Sequence, residues 1–454
     1  MYSLSVMLKP ASGQCNMHCD YCFYCDEMEQ RTQASYGFMS EETLQNVIRK
    51  TMLNADREIS FSYQGGEPTL RGLAFFEKAV GLQEKYNRKG IRVHNALQTN
   101  GYALNEKWCQ FFAEHQFLVG LSVDGVQETH DAYRHGKLAD DRLFERKNVS
   151  GEPEEEIQIA GVDQNVFPAK KEKLAKQKQE DNVDQRPFQV QTECWIGEKD
   201  IAQSPGIEMS LNRKKAGTYE CALRAADLLT RHNVDFNILT VVNTQTAARI
   251  EDIYEDYRRR GWKYQQYIVC LPPLGQAPSD SVYVLSPEEY GDFLIRLFHL
   301  WYRDWKKSRQ PYIRQFENWI GMLAGYPPEA CDHYGTCGIQ YVVEADGSVY
   351  PCDFYMLDEY WLGNLNESRV AQLDGARQAI RFVERSMALD PACKDCIYYP
   401  LCRGGCQRCR ERVPGQNTYR NLWCKSYRMF FDACLKEMQE VAASVQTGSR
   451  NMIK

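Results

Sequence analysis

Residues 11–27 read "ASGQCNMHCDYCFYCDE". Three cysteines stand at Cys15, Cys19 and Cys22, in the spacing C-x3-C-x2-C, and Cys25 follows close behind. Thiols this dense in one loop point to metal ligation or redox chemistry rather than packing. A closed tetrahedral zinc site takes four ligands, often as two C-x2-C or C-x2-H pairs. A cubane [4Fe–4S] cluster takes one outer ligand per iron. Three cysteines on one loop would hold three irons and leave the fourth open to bind and orient a small molecule. Cys25 is available in sequence as a fourth ligand, but it lies outside the three-cysteine unit and is left out of the set.

The surrounding chain alternates short apolar runs with helical periodicity. "SLSVMLKP" (3–10) runs into the cysteine loop. "EISFSYQGGEP" (58–68), "RVHNALQTNG" (92–101), "FLVGLSVDG" (117–125), "VDFNILTVVN" (234–243) and "YQQYIVCLPPL" (264–274) read as further strands. Helical segments at 41–55, 73–90, 105–116, 219–233 and 248–261 lie between them. Six strands alternating with helices predict a parallel sheet with crossover helices. Glycines, cysteines and polar residues gather at the strand C-terminal ends, where parallel α/β architectures place their chemistry. In "LSPEEYGDFLIRLFHLWYRDWKKS" (285–308), Ser286, Pro287 and Glu289 form a helix start with a capping box. "YVVEADGSVYPCDFY" (341–355) predicts a hairpin turning at Asp346-Gly347, and residues 427–445 a final helix.

Composition narrows the function classes. The chain has 454 residues and a formal charge of -6, which argues against nucleic acid as a partner. It has no run of about 18 apolar residues, so no membrane span is expected. "MYSLSVMLKPASG" is too short and polar for a secretory signal, so a cytoplasmic location is expected. Eighteen cysteines in a reducing compartment favour metal or catalytic roles over disulfides. They concentrate at the N-terminus and in residues 331–424. Residues of about 138–213, rich in Glu, Lys, Gln and Asp with little periodicity, read as a polar insertion, either a solvated surface excursion or a partner-binding segment.

C-x3-C-x2-C with Tyr21 before the last cysteine, followed by a strand ending in "GGEP" (65–68), resembles the radical S-adenosylmethionine (SAM) superfamily. The resemblance implies a partial (β/α)6 TIM-like barrel, α/β in class, over residues 1–285. It implies that Cys15, Cys19 and Cys22 hold a cluster whose open iron chelates SAM. Reductive cleavage of SAM then gives a 5'-deoxyadenosyl radical that removes a substrate hydrogen atom. It places Tyr21, Gly65, Gly66, Glu67, Ser122, Arg134 and Leu271 around SAM. The glycines suit this role, because absent side chains let backbone groups approach the ligand. Ordinary surface polarity is the plain alternative for Ser122 and Arg134, and core packing for Leu271.

The second cysteine group runs C-x5-C, x14-C, C-x2-C-x5-C-x3-C and then Cys424, and resembles the SPASM auxiliary-cluster domain. The resemblance implies one cluster on Cys331, Cys337, Cys352 and Cys406 and another on Cys393, Cys396, Cys402 and Cys424. That makes three [4Fe–4S] clusters, with zinc as the alternative for the auxiliary pair. The domains implied are a helical connector at 286–330, the SPASM domain at 331–424 and a C-terminal helix at 425–454. Cys25, Cys109, Cys194, Cys221, Cys270, Cys409 and Cys434 receive no role.

"KPASGQCNMHCDYCFY", "SYQGGEPTL", "LQTNG", "FLVGLSVDG", "FNILTVVN" and "SVYPCDFY" together resemble the anaerobic sulfatase-maturating enzymes. Such enzymes oxidise a cysteine or serine in a C/S-x-P/A-x-R segment of a sulfatase to Cα-formylglycine. The resemblance makes Asp353 the general base, with backbone capping as its plain alternative. It places Tyr24 and Gln64 in the substrate pocket, where local packing is the alternative. It implies a sulfatase polypeptide and an electron donor such as flavodoxin or ferredoxin as partners. The rival readings are a SPASM enzyme that crosslinks small peptides and a non-catalytic iron–sulfur electron carrier.

Overall fold

A computed structural model describes residues 3–136 and 217–448. The polar insertion expected at 138–213 lies outside the described residues, as does Cys194. Along the chain the strands are β1 (Ser3–Leu8), β2 (Met17–Cys19), β3 (Glu58–Tyr63), β4 (Arg92–Thr99), β5 (Leu118–Ser122) and β6 (Arg134–Gly136). They continue with β7 (Phe236–Val242), β8 (Tyr264–Val269), β9 (Tyr312–Ile313), β10 (Tyr341–Val343), β11 (Ser348–Tyr350) and β12 (Gly363–Asn364), and end in a small antiparallel ribbon of β13 (Arg410–Arg412) and β14 (Tyr419–Asn421). The six expected strands are β1, β3, β4, β5, β7 and β8, which pair in that order, every pair parallel.

Period-2 burial sets the register of this sheet. Leu4, Val6 and Leu8 of β1 lie opposite Ile59, Phe61 and Tyr63 of β3, and all six are buried. A one-residue slip would turn this apolar row to the other face. The row shares one core with Val47, Ile48 and Met52 of helix Glu41–Asn54 and with Phe75 and Phe76 of helix Leu73–Tyr86.

The sheet continues past the expected domain boundary. β10 pairs parallel with β1, setting Leu8 opposite Val343, and β11 and β12 extend that edge antiparallel. The predicted hairpin therefore belongs to the same sheet as the first half of the chain. The buried run of β10 is what makes this edge stick: Tyr341, Val342 and Val343 are all fully buried. At the other edge β9 adds to β8. Helix Pro287–Trp305 begins as expected. The Ser286 hydroxyl accepts from the Glu289 N–H at 3.2 Å, and the Ser286 N–H donates to the Glu289 carboxylate at 2.7 Å. The last helix, Cys424–Gln446, packs on it and on helix Arg314–Leu323 through Phe430, which meets Phe298, Phe316 and Trp319 at 5.1–5.9 Å between ring centroids.

Two local ties hold the cysteine loop against the barrel ends. The first is Glu67, 1% exposed. Its carboxylate accepts from the Thr69 N–H (3.1 Å) and hydroxyl (2.6 Å), the Thr99 hydroxyl (2.8 Å) and the Asn100 N–H (2.8 Å). Its own N–H donates to the Gln14 carbonyl at 2.8 Å. One residue thus joins the ends of β3 and β4, through its side chain, to the residue before Cys15, through its backbone. The second tie is the β2–β6 ribbon, which sets Cys19 opposite Arg134. Where the chain returns at Thr218, the Thr218 hydroxyl donates to Asp131 (2.9 Å) and to the Arg134 carbonyl (2.8 Å), so residues 136 and 217 adjoin.

Glu67→Ala removes four accepted hydrogen bonds and leaves buried donors unpaired, so stability should fall by at least ~2 kcal/mol. A thermal or urea midpoint equal to that of the parent protein would show that this carboxylate is not the tie.

Candidate functional site

Cys15, Cys19 and Cys22 all lie half-buried on the loop between β1 and helix Phe23–Glu29. Their environments differ. Burial pushes the Cys15 thiol up to about 12 and the Cys19 thiol up to about 11. Cys22 is pulled down to about 6, chiefly because the Cys25 side chain hydrogen-bonds to it. Cys25, given no role from sequence, therefore stands against a ligand candidate. The Cys15 sulfur accepts from the Met17 N–H at 3.4 Å and the Asn100 amide at 3.7 Å. N–H···S contacts of this kind suit a charged thiolate, and three thiols on one loop suit a cubane. Among the described residues no three His, Cys, Asp or Glu side chains converge as a single-ion site needs. A cluster asks instead for one thiol per iron.

The glycines of "GGEP" have a structural reason beyond the one read from sequence. Gly65 and Gly66 both have positive φ, +94° and +48°. A Cβ at 66 would lie 2.0 Å from the Gln14 carbonyl oxygen, and one at 65 would lie 2.2 Å from Lys9 Cδ. The bare backbone here admits the cysteine loop and a lysine stem. The Glu67 side chain has internal partners. Its carboxylate is spent on the internal tie described above, and burial raises its pKa.

On one side of the loop, Tyr21, Arg134 and Asp124 form a buried cluster. The Tyr21 hydroxyl donates to Asp124 and accepts from Arg134 at 3.2 Å, while Arg134 reaches Asp124 at 3.7 Å. Burial, then the charge of Asp124, keeps the Tyr21 phenol well above its usual range. Arg134 is thus a buried ion-pair partner rather than surface polarity. Asp124, which sequence reasoning did not single out, also accepts from the Val241 N–H at 2.9 Å. Ser122 ends β5 and is half-buried. Leu271, also half-buried, follows β8 in a loop tied to the cysteine helix by the Leu274 N–H donating to Asp26 at 2.8 Å.

On the other side, Tyr24, Gln64 and Asp353 converge. Asp353 Oδ2 accepts from the Tyr24 hydroxyl at 2.7 Å and the Gln64 amide at 3.3 Å. Its Oδ1 is paired with the Lys9 ammonium, which also donates to the Tyr24 hydroxyl at 2.8 Å. Burial, then the Asp353 charge, keeps Tyr24 protonated far above the usual tyrosine range. Lys9 is the residue that sequence reasoning missed. Its signal was there: a lysine closing an apolar strand, at the sheet end where chemistry gathers. Glu27, one helical turn beyond Tyr24, is buried and pushed up to about 9, first by burial and then by the charge of Asp353.

The second cysteine group falls into two sets by the charges its members feel. Burial comes first, then Asp332, then Cys406 and Cys337, in raising Cys331 to about 12. Burial and then Cys406 raise Cys337 and Cys352. Burial raises Cys402 to about 12, with charge on Cys424, Cys393 and Cys396 adding to it. Within each set that the resemblance implies, the thiols stand close enough for the charge of one to reach others. Cys409 hydrogen-bonds to Cys406 and pulls it down, repeating the C-x2-C relation of Cys22 and Cys25. Cys109, Cys221, Cys270 and Cys434 are buried.

Comparison with known proteins accords with this geometry. Residues 10–145 match the radical SAM superfamily, and residues 335–397 match an iron–sulfur cluster-binding domain, SPASM. A cysteine-type anaerobic sulfatase-maturating enzyme of Clostridium novyi is 32% identical over 445 residues, covering 98% of this chain and 99% of that one. A serine-type enzyme of Klebsiella aerogenes is 27% identical over 437 residues, covering 96% of this chain and 86% of the relative. The solved structure of native anSMEcpe with bound AdoMet and Kp18Cys peptide superposes with a TM-score of 0.76 at 32% identity, over 98% of this chain and 100% of that one. No helix among the described residues is long and apolar enough to cross a membrane. With the cysteine loop, the auxiliary cysteines and the whole length of the chain all in agreement, this protein belongs to the anaerobic sulfatase-maturating enzymes of the radical SAM superfamily.

Proposed function

We propose that the chain oxidises a cysteine in a C-x-P/A-x-R segment of a sulfatase to Cα-formylglycine. The observation that carries this reading is the meeting of Asp353, Tyr24 and Gln64, drawn from three distant parts of the chain, beside the cysteine loop. Bound at Cys15, Cys19 and Cys22, a [4Fe–4S] cluster with SAM would supply hydrogen-atom removal, and two clusters on the eight SPASM cysteines would supply an electron acceptor.

The chain's own residues do the rest. Asp353 takes the proton of the target thiol as a general base. Its Oδ2 is the working oxygen: the 3.3 Å bond from Gln64 is the longest it accepts, and the one a substrate thiol or hydroxyl displaces most easily. Tyr24 stays protonated and keeps Oδ2 aimed. Gly65 and Gly66 keep the backbone close to the loop, and Tyr21 with Asp124 fixes the Arg134 guanidinium toward the SAM side. Ser122 and Leu271 line the same rim. A flavodoxin or ferredoxin is the class of reductant such clusters need.

A cysteine target is favoured over serine. Cysteine-type relatives are 32–33% identical to this chain, and serine-type relatives 26–27%. Anaerobic turnover of synthetic C-x-P-x-R and S-x-P-x-R peptides tests both points. The cysteine peptide should lose its sulfur and gain an aldehyde, faster than the serine peptide reacts. SAM cleavage with sulfur retained in a crosslinked peptide would sink the reading.

Asp353→Asn should still cleave SAM but form aldehyde about 100-fold more slowly, the usual loss when a positioned base is removed. Aldehyde formation at the parent rate in that variant would remove the role from Asp353.

A further inference from the structure

One charged group in the site opens the stretch that leads into the cysteine loop and has been given no role in the chemistry above. Lys9 is 1% exposed, at the end of β1. An ammonium is costly to bury, and an apolar side chain of the same length would fill the slot more cheaply. The fold nonetheless makes room for it. Its stem lies where a Cβ at position 65 would stand 2.2 Å away, so Gly65 is bare on its account as well. The Lys9 backbone is fixed too, its N–H donating to the Val343 carbonyl at 2.9 Å.

The charge of Lys9 has one destination. The neighbouring Arg31 is occupied by Glu344 at 2.9 Å, both side chains buried. Glu27 lines the same small cavity, of about 10 Å³, with Lys9, Tyr24 and Arg31. Burial pushes Glu27 up to about 9, which favours its neutral form, and the hydrogen bonds of the Lys9 ammonium go to Tyr24 and Asp353. Nζ therefore holds Asp353 Oδ1, and it also donates to the Tyr24 hydroxyl at 2.8 Å, which in turn donates to Oδ2 at 2.7 Å.

We propose that Lys9 is a positioning residue for proton removal: it clamps Asp353 through Oδ1 and Tyr24 through its hydroxyl, so that Oδ2 alone is presented to the substrate. This deepens the reading of the chain as a formylglycine-forming enzyme and rests on it. Clamping one carboxylate oxygen fixes the direction of the other, and small displacements of a catalytic group are expensive in rate. Lys9 acts through Asp353 and does not itself meet the substrate.

The test uses cluster-reconstituted Lys9→Met, with iron content matched to the parent and a cysteine peptide as substrate. SAM cleavage should persist and the peptide KM should stay within about 3-fold, while aldehyde kcat falls about 100-fold, so that 5'-deoxyadenosine accumulates without product. In the double variant Lys9→Met/Asp353→Asn, aldehyde formation should be no slower than in Asp353→Asn alone, because both changes remove one unit of function. A structural role would instead lower SAM cleavage and aldehyde together, or make the two losses multiply; either result overturns the proposal. If Lys9→Met does not take up its clusters, Lys9→Gln carries the same comparison. Parent enzyme that cleaves SAM without forming aldehyde would defeat the functional reading itself. Parent enzyme that forms aldehyde beside a fully coupled Lys9→Met would defeat the Lys9 proposal alone.

Discussion

A buried ammonium must find a counter-charge, and at the end of β1 that requirement reaches across most of the chain to Asp353. The pair is weak evidence of stability, since desolvation cancels much of what the attraction gains. Its value is registration. Lys9 follows the strand that pairs with β10, and Asp353 follows β11, so the pair can close only when the hairpin adds to the β1 edge in its observed register. The chemistry of the second half is thereby fastened to the sheet of the first. Losing one partner of such a pair leaves an unpaired buried charge, at a cost of about 3–5 kcal/mol.

The cysteine loop then works as a partition with a tyrosine on each side. Tyr21 looks toward Asp124 and Arg134, and Tyr24 toward Asp353 and Lys9. Burial and a neighbouring carboxylate keep both phenols protonated, so both are fixed donors. Both groups of polar side chains are thus anchored by the same few residues of chain.

Much of this was legible in the sequence. Short apolar runs alternating with helical segments mark the six central parallel strands, and the capping box marks helix Pro287–Trp305. Cysteine spacing marks the loop at 15–22 and the group at 331–424, and resemblance divides that group into two sets and brings together Tyr24, Gln64 and Asp353. What escaped were contacts that local pattern does not encode. Lys9 sat in plain view, but nothing in its neighbours shows that it is buried or that its partner lies at 353. Resemblance places Glu67 with the glycines of "GGEP", but only the positions of Thr69, Thr99 and Asn100 show that its carboxylate ties β3 to β4. The cysteine spacing marks the hairpin as part of the second group, but nothing local shows that Tyr341, Val342 and Val343 are buried and add it to the edge of the main sheet.

The adjoining of residues 136 and 217 carries a consequence for how this chain tolerates change. The Thr218 hydroxyl, bonded to Asp131 and to the Arg134 carbonyl, seals the barrel behind the point of departure. The entropy of closing a loop grows only with the logarithm of its length, so ends already held together are nearly indifferent to how much chain runs between them. The position after β6 is therefore a port in the architecture, where sequence can be gained, lost or exchanged between relatives while the ribbon that carries Cys19 and Arg134 stays in place.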